Sequence, residues 1–263
     1  MKKMLLLSAL LVLSTASVSA KDWTDIRMAS EGAYPPFNEI GANGALKGFD
    51  IDIGNALCAE MKAKCIWVKQ EWDGMIPALM ARKFDAIVAS MSITEERKAK
   101  VDFTNKYYAS PVVLIAKNGL PLRPELASLK GKKVAVQRGT VSDNFATKYW
   151  DGKGVEVVRY GKQDEAYLDL KSGRVDAIFA DYWEAYGGFL TKPEGAGYSV
   201  LGEQLYGKNA EERAVIGEGI GIAVRKKDQD LKAQLNKALA AVRANGKYEE
   251  IRKKYFTMDI YGN

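Results

Sequence analysis

Lys83-Phe84-Asp85-Ala86-Ile87 and Arg174-Val175-Asp176-Ala177-Ile178 are one phrase used twice: a basic residue, an apolar residue, then Asp-Ala-Ile. Each copy closes a run in which strand-like and helix-like patterns alternate. Before the first copy lie a strand pattern at Ile26 to Ala29 and a loop at Tyr34-Pro35-Pro36-Phe37. A helix starting near Asp50 follows, with Ile51, Ile53, Leu57 and Met61 at mixed helical spacing, then a strand at Cys65 to Val68 and a helix at Ile76 to Arg82. The phrase itself opens a strand at Asp85 to Ala89. Around the second copy come an extended segment (Pro111 to Ala116), strand and turn in LKGKKVAVQRGT, a helix at Val141 to Tyr149 and a strand in VEVVRY. A helix at Gln163 to Ser172 and a strand at Ala177 to Ala180 complete it. This alternation predicts an α/β chain with mostly parallel sheets, and the repetition predicts two analogous lobes. The chain returns through GEGIGIAVRKKD to helices at Leu231 to Ala244 and near Tyr248 to Tyr255. GEGIGIAV lacks the third glycine of a dinucleotide fingerprint and no helix follows directly, so its glycines read as close backbone packing in a strand.

The N-terminus carries an export pattern: Lys2 and Lys3, an apolar run from Met4 to Leu13, and Val18-Ser19-Ala20 as a small-residue cleavage site. A signal peptide over 1–20, cleaved after Ala20, is therefore expected. The apolar run is too short for a membrane span, which needs about 20 residues, and no later segment approaches that length, so the mature chain is expected to be soluble. Without a cysteine beside the cleavage site, a free protein in a periplasm-like space is expected. Loss of the leader removes two lysines and no acid, taking the formal charge from +6 to +4. With basic and acidic residues interspersed, this is no nucleic-acid footprint. Histidine is absent, which removes the commonest general base and zinc ligand. In an exported chain the only cysteines, Cys58 and Cys65, read as a short-loop disulfide, and two thiols alone make a poor metal site. Neither a metal nor a cofactor is expected.

Five segments form an ordered set: EGAYPPF (31–37), GFDIDIGNALC (48–58), WDGMIPAL (72–79), SMSITEER (90–97) and VDFTNKYY (101–108). LKGKKVAVQRGT, the Asp181 region, GIGIAVRK and a closing KKYF-x-x-x-x-YG continue it, so it spans essentially the whole mature chain. This set resembles the polar-amino-acid branch of periplasmic solute-binding proteins, within it most of all the arginine/ornithine and lysine/arginine/ornithine receptors. The resemblance implies a type II two-lobed periplasmic binding protein fold with a hinge of two crossing strands. On that fold the first lobe would comprise 21–109 and 210–263, the second 112–206, with 207–213 an exposed polar loop at the crossing. The chain is expected to act as a monomer with a free cationic amino acid and the membrane permease of an ABC importer as partners.

A free amino acid needs an anion receptor for its carboxylate, acceptors for its ammonium and a pocket for its side chain. Arg97 is the candidate for the first, because a guanidinium grips a carboxylate through two parallel hydrogen bonds. Without context it would read as a surface arginine in a charged stretch. By resemblance Ala89, Ser90, Met91 and Ser92 line the same cleft, with the serine hydroxyls directed into it. Gly139, Thr140 and Val141 stand between a strand and a helix, where free N–H groups and the helix dipole favour a carboxylate. Asp181 matches the family carboxylate that takes the α-ammonium, and also fits a helix N-cap. Glu31 is the candidate for the far end of a cationic side chain, although glutamine receptors of the same family also carry an acid there. Tyr34 and Trp72 would sandwich the methylenes, Trp72 adding a cation–π contact; both otherwise read as core aromatics. Two departures leave fine specificity open: Ala89-Ser90 replaces a serine pair, and the turn after Gly139 reads Thr-Val-Ser. Receptors for histidine, glutamine or an opine are the alternatives. From another class, cyclohexadienyl dehydratase-like enzymes use this fold, with Glu31 as a conceivable general acid, against which Asp181 speaks. A receptor-coupled sensing module is a further one.

Overall fold

A computed structural model describes residues 23–207 and 209–262. The expected leader 1–20 and its cleavage site lie outside the described residues. Two five-stranded sheets carry the fold. In the first, the strands run in the order Lys64–Lys69, Asp25–Ser30, Ala86–Ile87, Ala223–Val224 and Asp102–Phe103. The first three are parallel, and Ala223–Val224 is antiparallel to both its neighbours. The second sheet runs Glu156–Tyr160, Lys133–Gln137, Ala177–Asp181, Val112–Lys117 and Tyr198–Leu205, again with three parallel strands followed by antiparallel ones. The two Asp-Ala-Ile phrases supply the third strand of their respective sheets, as the repetition implies. The architecture is the expected two-lobed α/β one.

Helix Phe49–Glu60 illustrates how local sequence positions the site. Phe49, Ile53 and Leu57 fall on one face at four-residue spacing and are wholly buried. Burying each contributes about 1.5 to 3 kcal/mol. Phe49 meets the edges of Tyr107, Tyr108, Tyr248, Tyr255 and Phe256 or stacks beside them, tying the C-terminal segment to the first lobe. Gly48 precedes the helix at φ 125°, and a Cβ there would stand 2.3 Å from the Phe37 carbonyl oxygen, so only glycine allows this approach. Cys58, near the end of the helix, is bonded to Cys65 on the neighbouring strand as expected.

The expected strand in GEGIGIAV is confined to Ala223–Val224, with Ile220 bridging to Ser92 and Tyr108. Its glycines do pack closely: a Cβ on Gly221 would lie 2.9 Å from the Ile93 side chain. Of the segment 207–213, residues 209–211 and 213 are exposed as expected, but the chain there is helical from Ala210 and not a plain loop. Asn209 accepts from the Glu212 N–H and caps helix Ala210–Ile216, which Gly217 ends at φ 98°. Ile216 from this helix is buried in the second lobe's core with Val112 and Trp150, and the chain joins the first sheet only at Ala223.

A candidate ligand cavity between the lobes

The parallel strands of both sheets end on either side of one cavity with an empty volume of about 460 Å³, open solvent at its mouth included. The two lobes are closed over it. Gln137 Nε2 donates to Glu31 Oε1 at 2.9 Å, Arg97 donates to the Gly139 carbonyl at 3.1 Å, and at the rim Arg138 pairs with Asp73 at 3.1 Å.

Arg97 begins in a short helix, Glu95–Lys100, capped by Thr94. The sequence EERK reads as surface, yet Arg97 is only 7% exposed and its guanidinium faces the cavity. Its N–H partners are the carbonyls of Ser92 and Gly139, and its guanidinium carbon lies 5.3 Å from the Trp72 ring centre. Among the described residues it makes no ion pair. Burial therefore pushes its pKa down to about 10, only partly offset by Glu96 and Tyr34. A buried guanidinium held by neutral carbonyls is a site for an anion.

Across from it, helix Val141–Tyr149 points its N-terminus into the cavity. Thr140 caps it, accepting from the Asp143 N–H at 3.2 Å and donating to the Gln137 carbonyl at 2.7 Å. The Thr140 hydroxyl is thus committed to the turn, while the N–H groups of Val141 and Ser142 belong to the first turn and have no intrahelical acceptor. Thr140, Val141 and Ser142 all line the cavity; Gly139 contributes its carbonyl to Arg97 but is not itself in the lining.

Ser90 has φ 54°, a left-handed conformation that costs a non-glycine residue about 1 kcal/mol or more. Its hydroxyl does not point freely into the cleft, as the resemblance implies, but donates to Asp50 Oδ2 at 3.0 Å. Asp50, fully buried in the first turn of its helix, also accepts from Asn38 at 2.9 Å and from the Tyr107 hydroxyl at 2.7 Å. This network fixes Ser90 and leaves its oxygen able to accept. Ala89, Ser90 and Ser92 line the cavity, whereas Met91 is 2% exposed within the apolar core behind it.

Asp181 ends strand Ala177–Asp181. It is both things the sequence allows, a cavity wall and an N-cap. Its Oδ1 accepts from the N–H groups of Trp183 and Glu184 at 3.0 and 3.2 Å and from the Ser110 hydroxyl at 2.6 Å. Burial pushes its pKa up to about 6 against the pull of those bonds. Glu31, 2% exposed, is pushed up to about 7 by burial and by the charge of Glu71, with the Gln137 amide working the other way. At both carboxyls burial outweighs the groups that favour ionisation, the pull of Lys162 on Glu31 included. Tyr34 and Trp72, half-buried, complete the wall. Gln137, Ser142, Gln163 and Ala180 also line the cavity and were not anticipated. Gln137 and Ala180 sit at or near the ends of parallel strands, the place where open α/β sheets bind ligands, and that rule was the available signal. Among the described residues no group of three or more acids or cysteines is arranged to hold a metal ion.

The family model of bacterial extracellular solute-binding proteins, family 3, matches residues 26–258. The chain belongs to that family. It is 50% identical to the L-arginine-binding protein of Pseudomonas aeruginosa over 265 residues, covering all of both chains. It is 42% identical to the lysine/arginine/ornithine-binding periplasmic protein of Escherichia coli strain K12, covering all of this chain and 99% of that one. Among solved structures, an ancestral arginine-binding protein bound to arginine superposes with a TM-score of 0.80 at 37% identity, over 89% of this chain and 98% of that one. These relatives are binding proteins, and the family is defined by solute binding rather than by catalysis.

Proposed function

We propose that the chain is a periplasmic receptor that captures a cationic L-amino acid, arginine or ornithine and also lysine, between its lobes and delivers it to the permease of an ABC importer. The observation that carries this reading is the charge pattern of the cavity: a buried, unpaired Arg97 on one side and the buried carboxyls of Glu31 and Asp181 on others. One carboxylate and two cations on a short flexible chain complement that pattern. The ligand carboxylate lies on Arg97 and the N-terminus of helix Val141–Tyr149, replacing the Gly139 carbonyl as the partner of the guanidinium. The α-ammonium meets Asp181, with the Ser90 oxygen beside it. Tyr34 and Trp72 hold the methylenes, and Glu31 receives the distal cation.

Glu31, Tyr34, Trp72, Ser90, Ser92 and Arg97 precede the first crossing, while Thr140, Val141 and Asp181 follow it, so the ligand links two lobes that meet elsewhere through the polar bonds at the cleft and through Trp183, which packs beside Phe256. Only a molecule that differs in affinity for the open and closed states shifts that equilibrium, and this one acts as the missing charge on both sides. The relatives named for arginine and for lysine, arginine and ornithine support the same ligand class. The export pattern at 1–20 supports cleavage after Ala20 and action in the periplasm. Equilibrium dialysis of ligand-stripped mature protein against labelled arginine, ornithine, lysine, histidine and glutamine tests the reading. Dissociation constants of about micromolar or tighter, near −8 kcal/mol, are expected for the first two. Preference for glutamine, or millimolar binding to all five, would reject it.

A further inference from the structure

Two demands meet at the start of helix Val141–Tyr149. In the reading above its first N–H groups receive the ligand carboxylate, yet its first turn carries an acid of its own, Asp143, which is 7% exposed. Asp143 Oδ2 accepts from the Gly139 N–H at 2.9 Å, and the carbonyl of the same Gly139 accepts from Arg97 across the cleft at 3.1 Å. The carboxylate thus shapes the turn from behind. It holds Gly139, at φ 69°, while the Asp143 N–H binds the Thr140 hydroxyl at 3.2 Å. An acid in the first turn suits a helix that begins in solvent, because it complements the positive end of the dipole. Here it draws on the same positive end as an incoming carboxylate and repels it. The turn needs Asp143 for its shape and is harmed by its charge.

Arg159 resolves that conflict. It lies on strand Glu156–Tyr160, opposite Val136 of the strand that leads into the turn. Its Nε donates to Asp143 Oδ1 at 2.8 Å, and its Nη2 donates to the Thr147 hydroxyl at 2.7 Å, which in turn donates to the same Oδ1 at 3.1 Å. Among the described residues the ion pair of Asp143 is with Arg159. Nη2 also reaches Asp151 at 2.8 Å, but the side chain of Asp151 is 36% exposed and solvated on its own account, against 9% for Asp143. Neither Asp143 nor Arg159 lines the cavity.

We propose that Arg159 is a positioning residue for the ligand carboxylate: through Asp143 it fixes the turn at 139–141 and cancels the charge that opposes the ligand there. This inference rests on the receptor reading above. Every α-amino acid presents the same carboxylate, so the pair acts on the affinity for all ligands alike and takes no part in choosing among their side chains.

Calorimetric titration of ligand-stripped protein with arginine, ornithine and lysine tests this on wild type, Arg159→Met, Arg159→Lys and the double variant Arg159→Met with Asp143→Asn. Arg159→Met leaves Asp143 charged without its cation and is expected to weaken all three ligands by about fivefold or more, the scale of one charge at a helix end. The double variant removes both charges and keeps a side-chain carbonyl for the Gly139 N–H, so it is expected to return to within about threefold of wild type. Arg159→Lys keeps the cation and is expected to stay within the same range. A double variant as weak as Arg159→Met would mean that Arg159 only braces the strand against Thr147 and Asp151, and would overturn the inference. Unchanged affinity in Arg159→Met, or a loss confined to one ligand, would overturn it too. Should Arg159→Met fold poorly, the double variant and Arg159→Lys decide: both within about threefold of wild type supports the inference, and a larger loss in either rejects it. Wild-type silence toward all three ligands would overturn the receptor reading itself, a result distinct from the others.

Discussion

Asp85 and Asp176 hold equivalent places in the two lobes. Each donates its N–H to the carbonyl of a basic residue on the adjoining strand, Arg27 or Lys133, and each accepts that residue's N–H on its carboxylate. Their surroundings differ. Asp85 is 3% exposed and clamped by Arg27 and by the buried Arg225, which the returning chain brings in after Ala223–Val224 and which also bonds the carbonyls of Leu79 and Phe84. Asp176 lies at the surface, and among the described residues its ion-pair partner is Lys132 at 3.6 Å. The same phrase thus serves a locked lobe and a plainer one. The cavity walls differ as well: on the first lobe Asp50 fixes Ser90 through a buried network, while the second presents a helix N-terminus and the Asp181 carboxyl, held by Ser110 and by the N–H groups of Trp183 and Glu184.

Substituting the two aspartates breaks that comparison most sharply. Asp85→Asn removes one of the two carboxylates that hold the buried Arg225, leaving Asp228, and also takes the partner of Arg27, so it is expected to destabilise the fold by about 3 kcal/mol. Asp176→Asn is expected to cost less than about 1 kcal/mol. Urea denaturation of the two variants measures both. Burial raises the Asp85 carboxyl, but the bonds from Arg27 and Arg225 outweigh it and hold its pKa below the ordinary value. Its contribution is therefore present above the unfolded carboxyl range and is lost as pH falls through the depressed folded value.

The cavity acids give an opposite dependence. Glu31 near 7 and Asp181 near 6 are protonated in the unliganded closed form at pH values where the unfolded chain is ionised, so their contribution to the stability of that form grows as pH falls below about 7. A cationic ligand demands the carboxylates. Arginine affinity is expected to rise with pH through 6 and 7, approaching tenfold per unit for each proton released, and to level off above about 8. Glu31→Gln should weaken arginine binding and remove the upper part of that dependence. Titration from pH 5 to 8.5 measures it.

Much of this was legible in the residues. The period of VSDNFATKY gave a helix over Val141 to Tyr149 that the structure repeats, and the double Asp-Ala-Ile placed the third strand of both sheets. The two- and three-residue strands Ala33–Tyr34, Asn38–Ile40 and Leu46–Lys47 are too short to carry an alternation. Helix Ala210–Ile216 hid because AEERAVI offers few apolar residues to set a period. Arg97 was recognised only through the ordered segments around it, since its burial depends on the other lobe closing. Gln137 and Gln163 were missed for the same reason: an amide at a strand end or a helix start is ordinary, and its place in the cavity wall appears only when both lobes close.

The smallest effect belongs to the rim. Arg138→Ala removes the exposed cross-cleft pair with Asp73 and is expected to weaken arginine binding by no more than a few-fold, about 0.2 to 1 kcal/mol, with the difference shrinking as salt is raised. A loss of a hundredfold would mean that the lobes are held by the rim and not by what lies between them.

The central claim, that a cationic amino acid joins the two lobes through Arg97, is tested most directly by small-angle X-ray scattering of ligand-stripped protein. Arginine should reduce the radius of gyration of wild type and leave that of Arg97→Met unchanged. Contraction of the variant by the same ligand, or no contraction of wild type at saturating arginine, would contradict the account.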